Sequence, residues 1–271
     1  IDASSAAATA MEALVSETGA TQLLEFDADT FVDYRARRPM MELRDGVNTK
    51  LEWSVPKLFL GKDKNGKSVV LLTGPEPDSR WQHFAATVGS LAQQLGVRRM
   101  LGLGAYPVAT PHTRAVQLSC TSPNSELVAT LPYLKSSLDV PAGMEAALEH
   151  AMHSVGIPSL GLWAQVPHYV ASMAYPAAAA ALLGAVSDSG DIEIDISGLL
   201  EQATIQRERL DSLVRNNPEH AAMLTQLEQV FDEAHSGNGQ LTTGFGGVPL
   251  PSGDELAAEL EQFLREHRSD S

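Results

Sequence analysis

Two short runs constrain the fold of this chain more than any other feature: MLGLGAYPV at 100–108 and SLGLWAQV at 159–166, neither carrying a charged residue. Runs of this length suit strands. A strand without polar alternation must be covered on both faces, as in parallel or mixed sheets flanked by helices. Each run follows a helical pattern. In SRWQHFAATVGSLAQQL, 79–95, residues Trp81, Phe84, Ala85, Val88, Leu91, Ala92 and Leu95 share one stripe, with Asp78 as the expected N-cap and Gly96 as the stop. From 143 to 155 the stripe is Met144, Ala147, Leu148, Ala151 and Val155. Strand and helix therefore alternate, which predicts an α/β domain built on a mainly parallel or mixed sheet.

Around this centre the texture changes twice. Residues 3–17 read as an alanine-rich helix capped by Asp2 or Ser4 and ended at Gly19. A helix so early, in a chain opening on Ile1, gives the expectation that the domain's first strand is missing. Between 21 and 74 the β-type runs TQLLEF, TFVDY, TKLEW, PKLFL and VVLLTG are separated by turn signals such as DGVN and NG, the pattern of hairpins. AVQLSC, 115–120, reads as a further strand. After the helix YPAAAAALLGAVSD come two polar helices, 197–216 and 218–235, split at Asn217-Pro218 as an antiparallel pair. The expected division is a core domain at 1–190 and a helical extension at 191–271, with a glycine-rich linker at 236–253 before a last helix, DELAAELEQFLREH.

Charge narrows the partners. With 34 acidic against 19 basic residues the formal net charge is -15, and the longest basic cluster is RARR at 35–38. Such a surface repels nucleic acid and anionic lipid. No apolar run approaches the roughly twenty residues of a spanning helix. The single cysteine, Cys120, permits no intrachain disulfide, so a cytoplasmic location is expected.

GKDKNGKS at 61–68 matches the phosphate-loop expression, yet β-branched residues and not a helix follow it, and Asn65-Gly66 marks a hairpin turn. GLGAYP, 102–107, fails the dinucleotide pattern at Pro107. Glu149, His150 and His153 lie off the apolar stripe of their helix, on an expected solvated face, and no metal or cofactor is expected.

TGPEPDSRW, 73–81, places Glu76 and Arg80 at a strand's C-terminal end, where open α/β sheets bind ligands. Both apolar runs are followed by Pro-His corners, PHTR at 111–114 and PHYV at 167–170. If the two strands are neighbours, Glu76, Arg80, His112, Arg114, His168 and Tyr169 line one recess. No serine, cysteine or aspartate stands out as a nucleophile beside them, so the recess suits binding and no catalytic residue is assigned.

The series RRPMMELRDG, LLTGPEPDSRWQHF, LGLGAYPVATPHTRAV and LWAQVPHYV resembles the proteasome assembly chaperone 2 family, particularly its actinobacterial members, over about residues 2–230. The resemblance implies a three-layer αβα sandwich with a phosphorylase/hydrolase-like mixed sheet and a C-terminal helical extension. It also implies self-association, with a trimer as the first expectation, and proteasome subunits as partners. The first strand of such proteins ends in Gly-Trp-x-Asp-Ala, of which Asp2 and Ala3 remain. VPAGM at 140–144 stands where Gly-Pro-Thr-Gly is common, and Ala109-Thr110 where an aspartate is, both of which weaken an enzymatic reading. The expectation is a non-catalytic binding or assembly protein. The alternative is a phosphorylase- or hydrolase-type enzyme acting on a small anionic or nucleoside-like substrate.

Overall fold

The computed structural model describes residues 1–236. A 3₁₀ turn, Ala3–Ser5, enters α1 (Ala6–Glu17), followed by β1 (Thr21–Glu25), α2 (Ala28–Phe31), β2 (Met40–Arg44), β3 (Val47–Glu52), β4 (Lys57–Lys62) and β5 (Ser68–Thr73). Then come α3 (Trp81–Gln94), β6 (Met100–Val108), β7 (Leu118–Thr121), α4 (Ser125–Thr130), α5 (Met144–Ser154) and β8 (Ser159–Pro167). A second 3₁₀ turn, His168–Val170, precedes α6 (Pro176–Gly190), α7 (Ser197–Arg215) and α8 (Pro218–Ser236). The expected glycine-rich linker beyond Ser236 and the last helix lie outside the described residues.

The chain is a mixed α/β protein with three sheets among the described residues: β1-β4-β5, the hairpin β2-β3, and β6-β8-β7. The two apolar runs are neighbours, β6 parallel to β8 from Met100↔Ser159 to Val108↔Pro167, with β7 antiparallel on the other edge of β8. Period-two alternation divides their side chains. Leu160, Leu162, Ala164 and Val166 join a core with Leu182 and Leu183 of α6 and Ala10 and Leu14 of α1. On the opposite face α5 lies against the sheet. Its apolar stripe, Met144, Leu148 and Met152, forms a second core with Phe84, Ala85, Val88 and Ala92 of α3.

The glycines of these runs make room. Gly102 and Gly161 are cross-strand partners, and a Cβ on Gly102 would overlap the Glu145 side chain arriving from α5. At the N-terminus the Asp2 carboxylate accepts from the N–H groups of Ala7 and Ala8 at 2.8 and 3.0 Å, the capping role expected of it. Asp2 also bridges in parallel to Ala105 of β6.

Two local expectations are corrected. TFVDY is no strand: Phe31 ends the short α2 and packs edge-on to Phe84, ring centroids 5.1 Å apart, so core packing overrides β-propensity. Asp78 does not cap α3. Its carboxylate accepts instead from the backbone N–H of Asp33 (2.8 Å) and from Arg37 Nε (3.1 Å), holding the 33–37 loop, while Arg80 takes the preceding helix position at φ +56.

GKDKNGKS is a hairpin turn between β4 and β5, with Gly66 at φ +80. Asp63 accepts from Asn65 N–H and Lys67 N–H, so its carboxylate organises the turn. Among the described residues no helix is long and apolar enough to cross a membrane.

Candidate functional site

Because β6 and β8 finish side by side, the two Pro-His corners meet. The His112 ring is almost wholly buried, its side chain 1% exposed. Its backbone N–H donates to Tyr169 Oη at 2.8 Å, and that hydroxyl lies 2.7 Å from His112 Nδ1. His112 Nε2 lies 3.1 Å from Asp211 Oδ1 of α7, so both ring nitrogens are hydrogen-bonded.

Arg114, two residues on, reaches α8. Its Nη2 donates to Asp232 Oδ2 at 2.6 Å, its Nε to Asp232 Oδ1 at 2.8 Å, and its Nη1 to Glu228 at 3.0 Å. This fork-to-carboxylate geometry holds the guanidinium firmly charged and the Asp232 carboxyl below its usual range. Arg207 of α7 donates back to the Thr113 carbonyl at 3.2 Å. Burial pushes the Tyr169 phenol up to about 12, with the negative charges of Glu228 and Asp211 adding to the effect. Tyrosine, histidine and aspartate in series resemble a relay, but the His112 ring is shielded from solvent. Mechanically it is a latch between the sheet's corners and α7–α8.

Of the six expected pocket residues, His112, Arg114 and Tyr169 come together in this latch. His168 is exposed beside it, its ring edge-on to Tyr169 at 5.3 Å. Glu76 and Arg80 share no hydrogen bond with the cluster. Glu76 accepts from Met144 N–H at 2.6 Å and caps α5, and Arg80 is exposed ahead of α3. Asp211, Glu228 and Asp232 were absent from the sequence reading, because nothing in their spacing shows which helix face returns to the sheet.

A second polar cluster also lies outside that reading. Glu149 is buried, not on a solvated face with the exposed His150 and His153. Gly161 lacks the Cβ that would occupy its place, and Glu149 Oε1 accepts from Thr121 Oγ1 at 2.7 Å. Thr121 in turn accepts from Trp163 Nε1 at 3.1 Å. Glu145, one helical turn earlier, points its Oε1 at the same glycine, fully buried and without a hydrogen-bond partner. Burial, and then the neighbouring Glu149, raise the Glu145 carboxyl to about 8, and burial raises Glu149 as well. The signal in the sequence was an i, i+4 glutamate pair opposite two strand glycines. Among the described residues no group of three or more histidine, cysteine, aspartate or glutamate side chains is placed to hold a metal ion.

Comparison with known structures gives this geometry its context. A Mycobacterium tuberculosis protein of unknown function is 33% identical, over 87% of this chain and 80% of its own, with a TM-score of 0.78. A PAC2 family protein of Streptomyces avermitilis is 32% identical over 82% of this chain and 94% of that one, TM-score 0.74. A proteasome-assembly chaperone homologue of Mycobacterium tuberculosis is 29% identical over 82% and 95%, TM-score 0.76. No curated protein matches the sequence. The PAC2 family model matches residues 1–214, a span that takes in both Pro-His corners, the buried glutamates and Asp211 on α7. On that extent of agreement, the chain belongs to the PAC2 family.

Proposed function

We propose that this protein is a self-associating, non-catalytic binding protein that assists the assembly of proteasome components. The observation that carries the reading is the latch: His112, Tyr169 and Arg114, the groups best suited to chemistry at the strand ends, are all bonded to the protein itself. A site that has to transform a substrate keeps its reactive atoms accessible. The similarity to a proteasome-assembly chaperone homologue supports the choice of partner. In this reading residues 1–190 form the αβα core with a phosphorylase/hydrolase-like sheet, residues 191–271 form the extension, and the protein works in the cytoplasm. In this reading the exposed residues Glu76, Arg80 and His168 contribute to binding.

The test is a reconstitution with purified proteasome α- and β-subunits from the same organism. The expected result is co-migration with α-subunits on native gels and faster appearance of complete particles. Absence of both, in an assay where the subunits assemble by themselves, overturns the reading. Hydrolysis or phosphorolysis of nucleosides by the purified chain would favour the enzymatic alternative.

A further inference from the structure

Glu145 and Glu149 stand one helical turn apart on α5, and the strands beneath them are cleared by glycines. Gly102 of β6 and Gly161 of β8 are cross-strand partners. Were Gly161 to carry a Cβ, the three atoms nearest it would be Glu149 Oε1, Thr121 Oγ1 and Glu145 Oε1, all within 2.8 Å. Two oxygens from α5 and one from the end of β7 therefore converge over a single strand glycine. Glu145 Oε1 is also the atom nearest to a Cβ on Gly102, so it lies over the glycine pair.

The surroundings leave this convergence short of positive charge. Glu149 is buried, and its Oε1 accepts from the Thr121 hydroxyl at 2.7 Å. Thr121 accepts in turn from Trp163 Nε1 at 3.1 Å, which leaves its oxygen one lone pair. Glu145 Oε1 is buried with no hydrogen-bond partner, and among the described residues neither glutamate forms an ion pair. Buried charges are paired or bind cations, and a buried oxygen without a donor points to a ligand. One proton neutralises one carboxylate of such a pair, whereas a divalent cation neutralises both. The donors are two carboxylates and a hydroxyl, with no histidine or cysteine, a set that selects hard ions such as Ca²⁺, Mg²⁺ and Mn²⁺. Thr121 is exposed at the end of its strand, which gives an ion a way in and lets waters complete its shell.

We propose that Glu145, Glu149 and Thr121 form a binding site for a hard divalent cation, which ties α5 to β7 across β8. In the absence of the ion a proton retained on Glu145 keeps the two carboxylates from repelling each other, so the chain folds with or without it. The site does not depend on the assembly role proposed above.

The experiment uses the full chain after dialysis against EDTA, with Mn²⁺ alone as the probe. Loss of the electron paramagnetic resonance signal of the free ion counts what is bound. The expected result is one Mn²⁺ per chain, displaced by Ca²⁺ or Mg²⁺, with a rise in the thermal unfolding midpoint on binding. Glu145→Gln removes a carboxylate and breaks no hydrogen bond, so it should keep the fold, weaken binding by about tenfold or more and abolish the rise. Glu149→Gln should weaken binding likewise, whereas Glu12→Gln, on the exposed side of α1, should leave it unchanged. Circular dichroism checks folding, and should Glu149→Gln unfold, Glu145→Gln decides alone. A chain that binds no Mn²⁺ up to about 1 mM overturns the proposal. Binding of undiminished strength in folded Glu145→Gln also overturns it, since the ion would then sit elsewhere on the acidic surface.

Discussion

His112 and Tyr169 are bonded twice, backbone N–H to phenol at 2.8 Å and phenol to imidazole Nδ1 at 2.7 Å, so one hydroxyl satisfies two buried groups from the other strand's corner. Tyr169→Phe removes both bonds and leaves the backbone N–H and the ring Nδ1 of His112 without their partner. The expected loss of stability is about 1–3 kcal/mol, read from urea unfolding, with the fold retained. An unchanged midpoint would mean that water replaces the hydroxyl and the corners are not tied through it.

The ion pairs of Arg114 make the attachment of α8 dependent on acid. Asp232 has its carboxyl lowered by the Arg114 bond, so its contribution is fully present above the ordinary carboxylate range and disappears as pH falls through the lowered value. Protection of the α8 amides against hydrogen exchange is expected to fall as the pH drops below the ordinary carboxylate range towards that lowered value. Arg114→Ala should produce the same local loosening at neutral pH, with α3 and α5 unaffected. Equal exchange in both proteins would refute the latch.

Glu145 produces the opposite slope. Its carboxyl is raised to about 8 in the folded protein against an ordinary value of 4.5, so between these pH values the unfolded chain has lost a proton that the folded chain retains. Stability therefore declines as pH rises from about 4.5 to 8, and the decline ends above that. Glu145→Gln abolishes this part of the slope. Its amide can donate to Glu149, and at pH 8 it should raise the unfolding free energy by about 1–3 kcal/mol. Parallel stability curves for the two proteins from pH 5 to 8 would rule out a buried proton at this position.

Gly102 tests the same packing from the sheet. The three atoms nearest a Cβ there all belong to Glu145, so Gly102→Ala should cost about 1–3 kcal/mol in the wild type. In a Glu145→Ala background most of that penalty should vanish, because the obstructing side chain has gone. Additive costs in thermal denaturation would show that the strain lies elsewhere.

Local patterns in the sequence determined a good deal. The uncharged runs at 100–108 and 159–166 appear as the paired strands β6 and β8, and the stripes of α3 and α5 face the core as their spacing requires, except that Leu95 at the end of the α3 stripe is exposed. The helix break at Asn217-Pro218 and the hairpin at Asn65-Gly66 also stand where turn chemistry puts them. Each of these depends on neighbours in the chain, through period, propensity or a favoured turn. Tertiary structure decided what those signals do not encode. Phe31 left the strand pattern for a place beside Phe84, Asp78 turned from its own helix to a distant loop, and Glu149 was buried because a strand glycine left space for it. His112 sits 99 residues from Asp211, and only the return of α7 across the strand ends brings the two to 3.1 Å. Partners so far apart meet by the packing of whole elements, and no short-range spacing records that event.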